Sequence, residues 1–286
     1  MTLRAFRWSA VRCAPLLFVW LSSCEKDGST PSFIRILEPK ARTADGSEVV
    51  PSAVTDMWVY ANDEAIGVWQ ENRRIPVLSE GSTNIKIVAG VRRNGITQDR
   101  VQYPFYATWS QDVELTLGQE VVMQPVFSWY AEPIWEEGFE TSGFQFDFSE
   151  GGLDLQFVTD PDDVLRGQRS AAIVLDSAHA FFRAVTTAAP TFPNGTAATF
   201  LEFDHKSDKR FVVGVKYDNG QAYTVPYVVV NPTGSTGSGQ PWKHMYIDLS
   251  SAWGTGGSVN RQFYIEAQLE GAETARIILD NMTVHH

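Results

Sequence analysis

From residue 33 onward, the chain is built of short runs in which polar and apolar residues alternate. Phe144, Phe146 and Phe148 are separated by single polar residues, and the run 153–157 repeats this spacing. A period of two places every second side chain on the same face, which is typical of a half-buried antiparallel strand. The pattern therefore predicts an all-β chain.

Turn residues separate these runs. Asn62-Asp63 lies between two apolar runs and predicts a hairpin, because both residue types tolerate the positive φ of tight turns, and Asn94-Gly95 is a second strong turn signal. The stretch 170–189 is ambiguous, since it is alanine-rich without glycine or proline and could be helical. Its β-branched and aromatic clusters favour two strands folded at Asp176-Ser177.

The chain of 286 residues is longer than one typical domain of about 150 residues. Ala131-Glu132-Pro133 interrupts the strand pattern and predicts a joint. We expect an N-terminal Ig-like β-sandwich over 33–130. A C-terminal jelly roll over 134–286 is expected to have about ten strands in two packed antiparallel sheets.

The first 23 residues have the organisation of a secretory leader. Arg4, Arg7 and Arg12 precede a short apolar core at 16–21, and small residues follow it. A membrane-spanning helix needs about 20 apolar residues, so this core is too short to span. The segment is expected to be a signal peptide that is removed.

The sequence Leu-Ser-Ser-Cys at 21–24 resembles the bacterial lipoprotein box, in which a peptidase cuts before the cysteine and lipid is attached to it. The resemblance implies acylation of Cys24, a polar tether over 24–32 and anchoring to the lipid bilayer of the cell envelope, at the outer membrane. Glu25-Lys26-Asp27 is similar to the surface-export signal of Bacteroidetes lipoproteins. The alternative is an ordinary cleaved leader with an incidental cysteine.

Charge and cysteine content exclude several classes of function. The chain has 23 basic and 34 acidic residues, and removing residues 1–23 takes away three arginines, which leaves 20 basic residues. An acidic surface argues against nucleic acid as a partner. The two cysteines are Cys13, in the leader, and Cys24. No thiol is then left for a disulfide, a zinc site or a nucleophile.

The N-terminal strands resemble PEGA-like and carboxypeptidase-regulatory-like β-sandwiches of bacterial envelope proteins. The segments 58–63 and 84–88 occupy the places of the two characteristic strands of these modules. Asp63 stands where glycine is usual, and 70–74 is a longer insertion. The resemblance implies a spacer or a binding platform, with no catalytic function.

The C-terminal part resembles galactose-binding-like jelly rolls, the fold of many carbohydrate-binding modules. The resemblance rests on Glu137-Gly138-Phe139-Glu140 near the first strand, on the segment 278–284 at the last strand, and on Met245-Tyr246-Ile247-Asp248-Leu249 after Trp242. Members of this superfamily often bind a structural Ca²⁺ where the first and last strands meet. The resemblance places Glu140 and Asp280 there; otherwise both are solvated or cap a turn.

Sugar binding by such modules depends on aromatic rings that stack on the C–H faces of pyranoses, with polar groups that orient the hydroxyls. The candidates are Tyr223, Tyr227, Trp242 and Trp253. Most aromatic residues of a sandwich belong to its core, so each of them has packing as its alternative role.

Motifs of catalysis are missing from the sequence. It has no H-E-x-x-H, no G-x-S-x-G elbow and no phosphate loop, and the E-x-D-x-x-E strand of jelly-roll glucanases is absent. The favoured function is therefore non-catalytic binding of carbohydrate or another extracellular ligand by a membrane-anchored lipoprotein. The alternative is a structural subunit that docks onto other envelope proteins, and a glycoside-active enzyme is the third possibility.

Overall fold

The computed structural model describes residues 30–286 except 44–45, 188–191, 196, 236, 238, 254–256 and 272–273. The predicted signal peptide and Cys24 lie outside these residues. The described part contains twenty-two β-strands and one 3₁₀ turn at Pro161–Asp163, which confirms the all-β prediction. None of its helices is both long and apolar enough to cross a bilayer.

The first eleven strands form three sheets, which we call the N-terminal sheets. Their orders are β10-β1-β6, β11-β2-β3, and β5-β4-β7-β8 with β9 paired to β7. The pairs β1/β10 and β2/β11 are parallel. The strands are β1 (Ser32–Ile36), β2 (Lys40–Arg42), β3 (Val49–Pro51), β4 (Asp56–Ala61), β5 (Glu64–Trp69), β6 (Arg74–Val77), β7 (Gly81–Arg92), β8 (Arg100–Gln102), β9 (Trp109–Leu115), β10 (Glu120–Met123) and β11 (Val126–Phe127).

The remaining eleven strands form two sheets, which we call the C-terminal sandwich. Their orders are β14-β15-β22-β17-β20, with β12 paired to β22, and β13-β16-β21-β18-β19. The strands are β12 (Trp135–Glu137), β13 (Phe146–Glu150), β14 (Gln156–Val158), β15 (Ser170–Asp176), β16 (Phe181–Thr186), β17 (Phe200–Ser207), β18 (Phe211–Asp218), β19 (Ala222–Val230), β20 (Lys243–Asp248), β21 (Val259–Gln268) and β22 (Thr274–His285).

Two local predictions from the sequence are confirmed. Asn62 and Asp63 have φ of 48° and 67° and join β4 to β5, because their side chains tolerate this left-handed conformation. The ambiguous stretch forms the strands β15 and β16, which belong to different sheets. The alanines inside these two strands, at 171, 172 and 184, are buried. Small residues here serve close packing between strands and not a helix.

The two sheets of the C-terminal sandwich face each other across one apolar core. Phe203 and Leu279 come from the first sheet, and Val213, Phe263 and Ile265 come from the second. These side chains are at most 1% exposed. The burial of apolar surface from both sheets is the main stabilisation of such a sandwich, at about 25 cal/mol per Å².

The N-terminal sheets and the C-terminal sandwich are joined by backbone as well as side-chain contacts. The amide of Asn94 donates to the carbonyl of Tyr246 over 2.8 Å, and the amide of Asp248 donates to Oδ1 of Asn94 over 2.9 Å. Phe200 and Tyr246 belong to the apolar cluster of the N-terminal sheets. The turn that was predicted at Asn94-Gly95 is thus also a docking point for β20.

Candidate functional site

We call the contact region between the N-terminal sheets and the C-terminal sandwich the junction. A cavity of about 870 Å³, which we call the Trp242 cavity, opens there. Both parts of the chain line it. The aromatic and cationic side chains around it are Arg42, Tyr106, Trp129, Arg166, Trp242, His244 and Tyr246. A volume in this range is that of a small-molecule site.

The polar floor of the cavity comes from the alternation along β17 and β20. Leu201 and Phe203 point into the sandwich core, so Glu202 and Asp204 point to the opposite face, towards the N-terminal sheets. Glu202 pairs with Tyr246 and Asp204 with His244 in the ladder. The strand register therefore brings two carboxylates and one imidazole together.

His244 lies between the two carboxylates. Its Nε2 is 3.0 Å from Oε2 of Glu202, and its Nδ1 is 2.9 Å from Oδ1 of Asp204. Tyr103 donates its hydroxyl to Oε1 of Glu202, and Asn281 donates its amide to Oδ2 of Asp204 over 3.1 Å. Each of the four carboxylate oxygens thus accepts a hydrogen bond.

The electrostatics of this cluster favour a protonated imidazole. Burial alone would lower the pKa of His244, but the charges and hydrogen bonds of Asp204 and Glu202 outweigh it and raise the pKa to about 9. Burial raises the pKa of Glu202, while His244 acts against this rise. A proton shared among saturated partners suits a fixed structural cluster better than proton transfer to a ligand.

The remaining lining combines flat rings with polar groups of both signs. Trp242 has Nζ of Lys206 5.7 Å from its ring centroid. Nε1 of Trp129 donates to the carbonyl of Arg42 over 2.9 Å. The charged lining residues are Arg42, Glu48, Glu136, Arg166, Glu202, Asp204 and His244. With His244 protonated, three positive charges face four negative ones, so the cavity suits a neutral polar ligand.

The predicted aromatic platform is not brought together. Trp242 lines the cavity, but Trp253 is 0% exposed, stacks on Phe192 at 5.7 Å and donates Nε1 to the carbonyl of Gln262. Trp253 is therefore a core residue, and the prediction that it contacts a ligand is corrected. The glycine-rich segment after Trp253 had suggested a residue beside a surface loop, but its ring packs in the sandwich interior.

Tyr223 and Tyr227 lie on β19, at the edge of the opposite sheet. Tyr223 stacks on Tyr217 with 5.1 Å between ring centroids, and Tyr227 donates its hydroxyl to the carbonyl of Asp248 over 2.8 Å. Neither tyrosine lines the Trp242 cavity. Their assignment to ligand binding stays a prediction.

Glu140 and Asp280, the residues expected to hold Ca²⁺, both bind one loop. Oε1 of Glu140 accepts the amides of Gln168 and Arg169, and Oδ2 of Asp280 accepts those of Leu165 and Arg166. Burial raises the pKa of Asp280 to about 7. These amides anchor the loop 165–169 to one oxygen of each carboxylate.

No group of three or more histidine, cysteine or acidic side chains in the described ranges is placed to hold a metal ion. The calcium ion therefore stays a prediction.

The acidic turn that begins at Asp160 has a structural role, because Asp163 lies 3.1 Å from buried Lys206 and 2.7 Å from Arg276.

Sequence reasoning missed the residues that form the centre of the junction, which are Glu202, Asp204, His244, Tyr106 and Trp129. One signal was present in the sequence. The strand 200–207 carries Glu202, Asp204 and Lys206 at alternate positions, and β17 is buried at every position. A strand with charges on one face normally exposes that face, so only the covering N-terminal sheets reveal these charges as buried.

The sequence matches no family model and no curated protein. Similar solved structures include TmCBM61 in complex with β-1,4-galactotriose, at 16% identity and a TM-score of 0.36, covering 52% of this chain and 94% of that one. Another is the CBM22-1 xylan-binding domain of Paenibacillus barcinonensis Xyn10C, at 11% identity and a TM-score of 0.39, covering 54% and 94%.

A third structure, of carbohydrate-binding modules from the β-sandwich superfamily, has 12% identity and a TM-score of 0.36 and covers 84% of this chain and 89% of its own. The sheets described above define the class directly: this is an all-β protein whose C-terminal part is a jelly-roll β-sandwich. The likeness to these structures assigns no ligand.

Proposed function

We propose that the chain binds carbohydrate, without catalysis, in the Trp242 cavity. The observation that carries the proposal is the lining of that cavity, where tryptophan and tyrosine rings stand among amide, hydroxyl and charged groups of nearly balanced sign. Rings stack on the apolar faces of sugars, while the polar groups orient their hydroxyls. A balanced charge suits a ligand rich in hydroxyls.

A glycosidase would need a pair of carboxylates about 5–10 Å apart, one of them free to donate a proton to the leaving group. Glu202 and Asp204 are the buried carboxylates of the cavity, and His244, Tyr103 and Asn281 engage all their oxygens. This saturation supports a binding role over hydrolysis.

A lipid on Cys24 would hold the protein at the cell envelope, at the outer membrane, and the tether over 24–32 would keep the junction clear of the bilayer. This part of the proposal rests on the lipoprotein box in the sequence. Stable anchoring takes more than one acyl chain, and the lipoprotein modification supplies them.

A glycan array with the soluble fragment that starts after Cys24 tests the binding function, with hits measured by titration calorimetry. We expect Trp242→Ala to weaken binding at least about tenfold, because stacking area is lost. Trp58→Ala is the matched control, since Trp58 is a partly buried tryptophan on β4 that lines neither this cavity nor any sugar site predicted from the sequence.

Equal weakening by both variants would contradict the location of the site. If no glycan bound at all, the binding function would be wrong, and the alternative of a structural subunit that docks onto envelope proteins would be favoured.

A further inference from the structure

A second cavity of about 920 Å³, which we call the Arg92 cavity, lies at the same junction. It shares four lining residues with the Trp242 cavity, which are Ser52, Ala53, His244 and Tyr246. The two cavities therefore adjoin, with these residues between them. Only a ligand longer than one sugar ring would occupy both.

Three cationic side chains, Arg73, Arg92 and Lys243, line the Arg92 cavity. Within the described part of the chain, none of them has a carboxylate within 4.0 Å. Nε of Arg92 is also buried and has no hydrogen-bond partner there. Three cations that no carboxylate compensates would be stabilised by an anionic ligand among them.

Neighbouring arginines use the local carboxylates. Arg93 lies 2.9 Å from Asp99 and 3.4 Å from Asp248, and Arg100 lies 2.8 Å from Asp56. The strand β7 thus ends at Arg92, whose charge no carboxylate compensates, while the charge of the next residue, Arg93, is compensated.

The balance of charge in this cavity opposes that of the whole chain. The full sequence has a net charge of −11, whereas the cavity has these three cations against two exposed acids, Glu38 and Glu71. His244 also lines it, but Glu202 and Asp204 compensate the charge of that imidazole. A positive cavity in an acidic protein concentrates anions locally. Guanidinium groups match carboxylate and sulfate oxygens in geometry as well as in charge.

We propose that the Arg92 cavity binds the carboxylate or sulfate group of an acidic oligosaccharide whose neighbouring ring lies in the Trp242 cavity. This inference rests on the proposed function, because it assumes a carbohydrate in the Trp242 cavity. It adds the class of sugar, which is an oligosaccharide with an acidic group next to the ring that occupies the Trp242 cavity.

Matched pairs of oligosaccharides that differ only in charge test the inference with the soluble fragment that starts after Cys24. We choose oligogalacturonate and its methyl ester, sulfated and unsulfated galacto-oligosaccharide, and carboxymethylated and plain cello-oligosaccharide. In at least one pair, the acidic member is expected to bind at least about tenfold more tightly, as a charge-assisted hydrogen bond implies. This preference should weaken with added salt.

Arg92→Gln is expected to remove the preference for the acidic member while binding of the neutral member is retained. Lys216→Gln is the matched control, since it removes one positive charge from β18, which lines neither cavity. Thermal unfolding of each variant shows whether it is folded.

Absence of an acidic preference in every pair, or a preference that persists in Arg92→Gln, would overturn the inference. In either case, binding of a neutral sugar that Trp242→Ala abolishes would leave the proposed function standing. Binding of no oligosaccharide at all would overturn both proposals.

Discussion

The indole of Trp129 and the imidazole of His285 lie parallel, with 4.0 Å between ring centroids and an interplanar angle of 1°. Trp129 follows the last of the N-terminal sheets' strands, whereas His285 ends β22 of the C-terminal sandwich. Burial, and then the charge of His244, lower the pKa of His285 to about 3. An uncharged imidazole thus forms part of the junction.

This burial predicts a loss of stability in mild acid. The unfolded imidazole of His285 binds a proton below about pH 6.5, whereas the folded one stays neutral down to about pH 3, so falling pH favours the unfolded chain by about 1.4 kcal/mol per pH unit. In His285→Phe, which keeps an aromatic ring against Trp129, the free energy of unfolding should fall less between pH 6.5 and pH 4. Urea unfolding at several pH values measures this.

The difference between the pH profiles of His285→Phe and the wild type does not depend on the other groups that titrate in this range. His205, whose pKa is lowered to about 4, destabilises in the same range, whereas Asp280, whose pKa is raised to about 7, acts in the opposite direction. Both are present in the two proteins. Identical pH profiles would show that His285 does not stay neutral in the folded state.

His244 changes the free energy of unfolding with pH in the opposite direction. The folded imidazole keeps its proton up to about pH 9, whereas the unfolded one loses it near 6.5, so its contribution is complete below pH 6.5 and is lost as the pH rises through 9. We expect His244→Gln to lower the free energy of unfolding by about 3 kcal/mol at pH 6, because two buried carboxylates lose their cation. The difference should shrink by pH 10.

The matched control is His179→Gln. His179 is exposed and lies 3.2 Å from Asp176, an ion pair of a kind that contributes little to stability. If this variant and His244→Gln were destabilised equally, the charge of the buried cluster could not be the cause.

The hydrogen bond of Tyr103 across the junction should contribute to the free energy of unfolding. It is 1% exposed and donates its hydroxyl to Glu202. Tyr103→Phe leaves a buried carboxylate oxygen without this donor, which should lower the free energy of unfolding by about 2 kcal/mol. Chemical denaturation measures the change, with Tyr130→Phe as control because Tyr130 is 67% exposed. A neutral effect of Tyr103→Phe would contradict the contact.

The two tryptophans proposed from the sequence should separate folding from binding. Trp253→Ala removes a fully buried ring and should cost about 3–5 kcal/mol of stability. Trp242→Ala should cost much less, because its ring is only partly buried at the cavity wall. Denaturation midpoints of the two variants give the comparison. A larger loss in Trp242→Ala would reverse their assignment.

Acylation of Cys24 predicts membrane association that depends on one sulfur. In cells fed labelled palmitate, the wild-type protein should take up label and sediment with membranes, whereas Cys24→Ser should do neither. Cys13→Ser is the control, since Cys13 lies in the predicted leader. Label in Cys24→Ser, or membrane association without it, would contradict the anchor.

Periodicity predicted the strands because each strand's pattern is local. Val213 and Val215 are buried in the sandwich core. Gly214, between them, faces the other side of the sheet, where the ring of Tyr264 covers it, and this is the alternation of a strand. Turns such as Asn62-Asp63 were predicted for the same reason, since a positive φ restricts the residue type at one position.

The site could not be predicted in this way, because it depends on contacts far apart in the chain. Tyr103 and Glu202 are separated by 99 positions, and Asn94 and Asp248 by 154. No local pattern states that the face of β17 with Glu202 is covered by another set of sheets. Trp253 shows the converse error, since an aromatic residue beside a loop has the same local sequence whether it faces solvent or the core.

The parallel pairing of β1 with β10 has a mechanical consequence. Residues 33–36 pair with residues 120–123 in the same direction. The N-terminal segment of the chain joins the first residue of β1, and the path to the C-terminal sandwich leaves from the last residue of β10. Tension between a fixed N-terminal end and a ligand held at the far side would pull these strands lengthwise past each other. Their hydrogen bonds would then resist the load together and not one after another, so the first strand is well placed to withstand force.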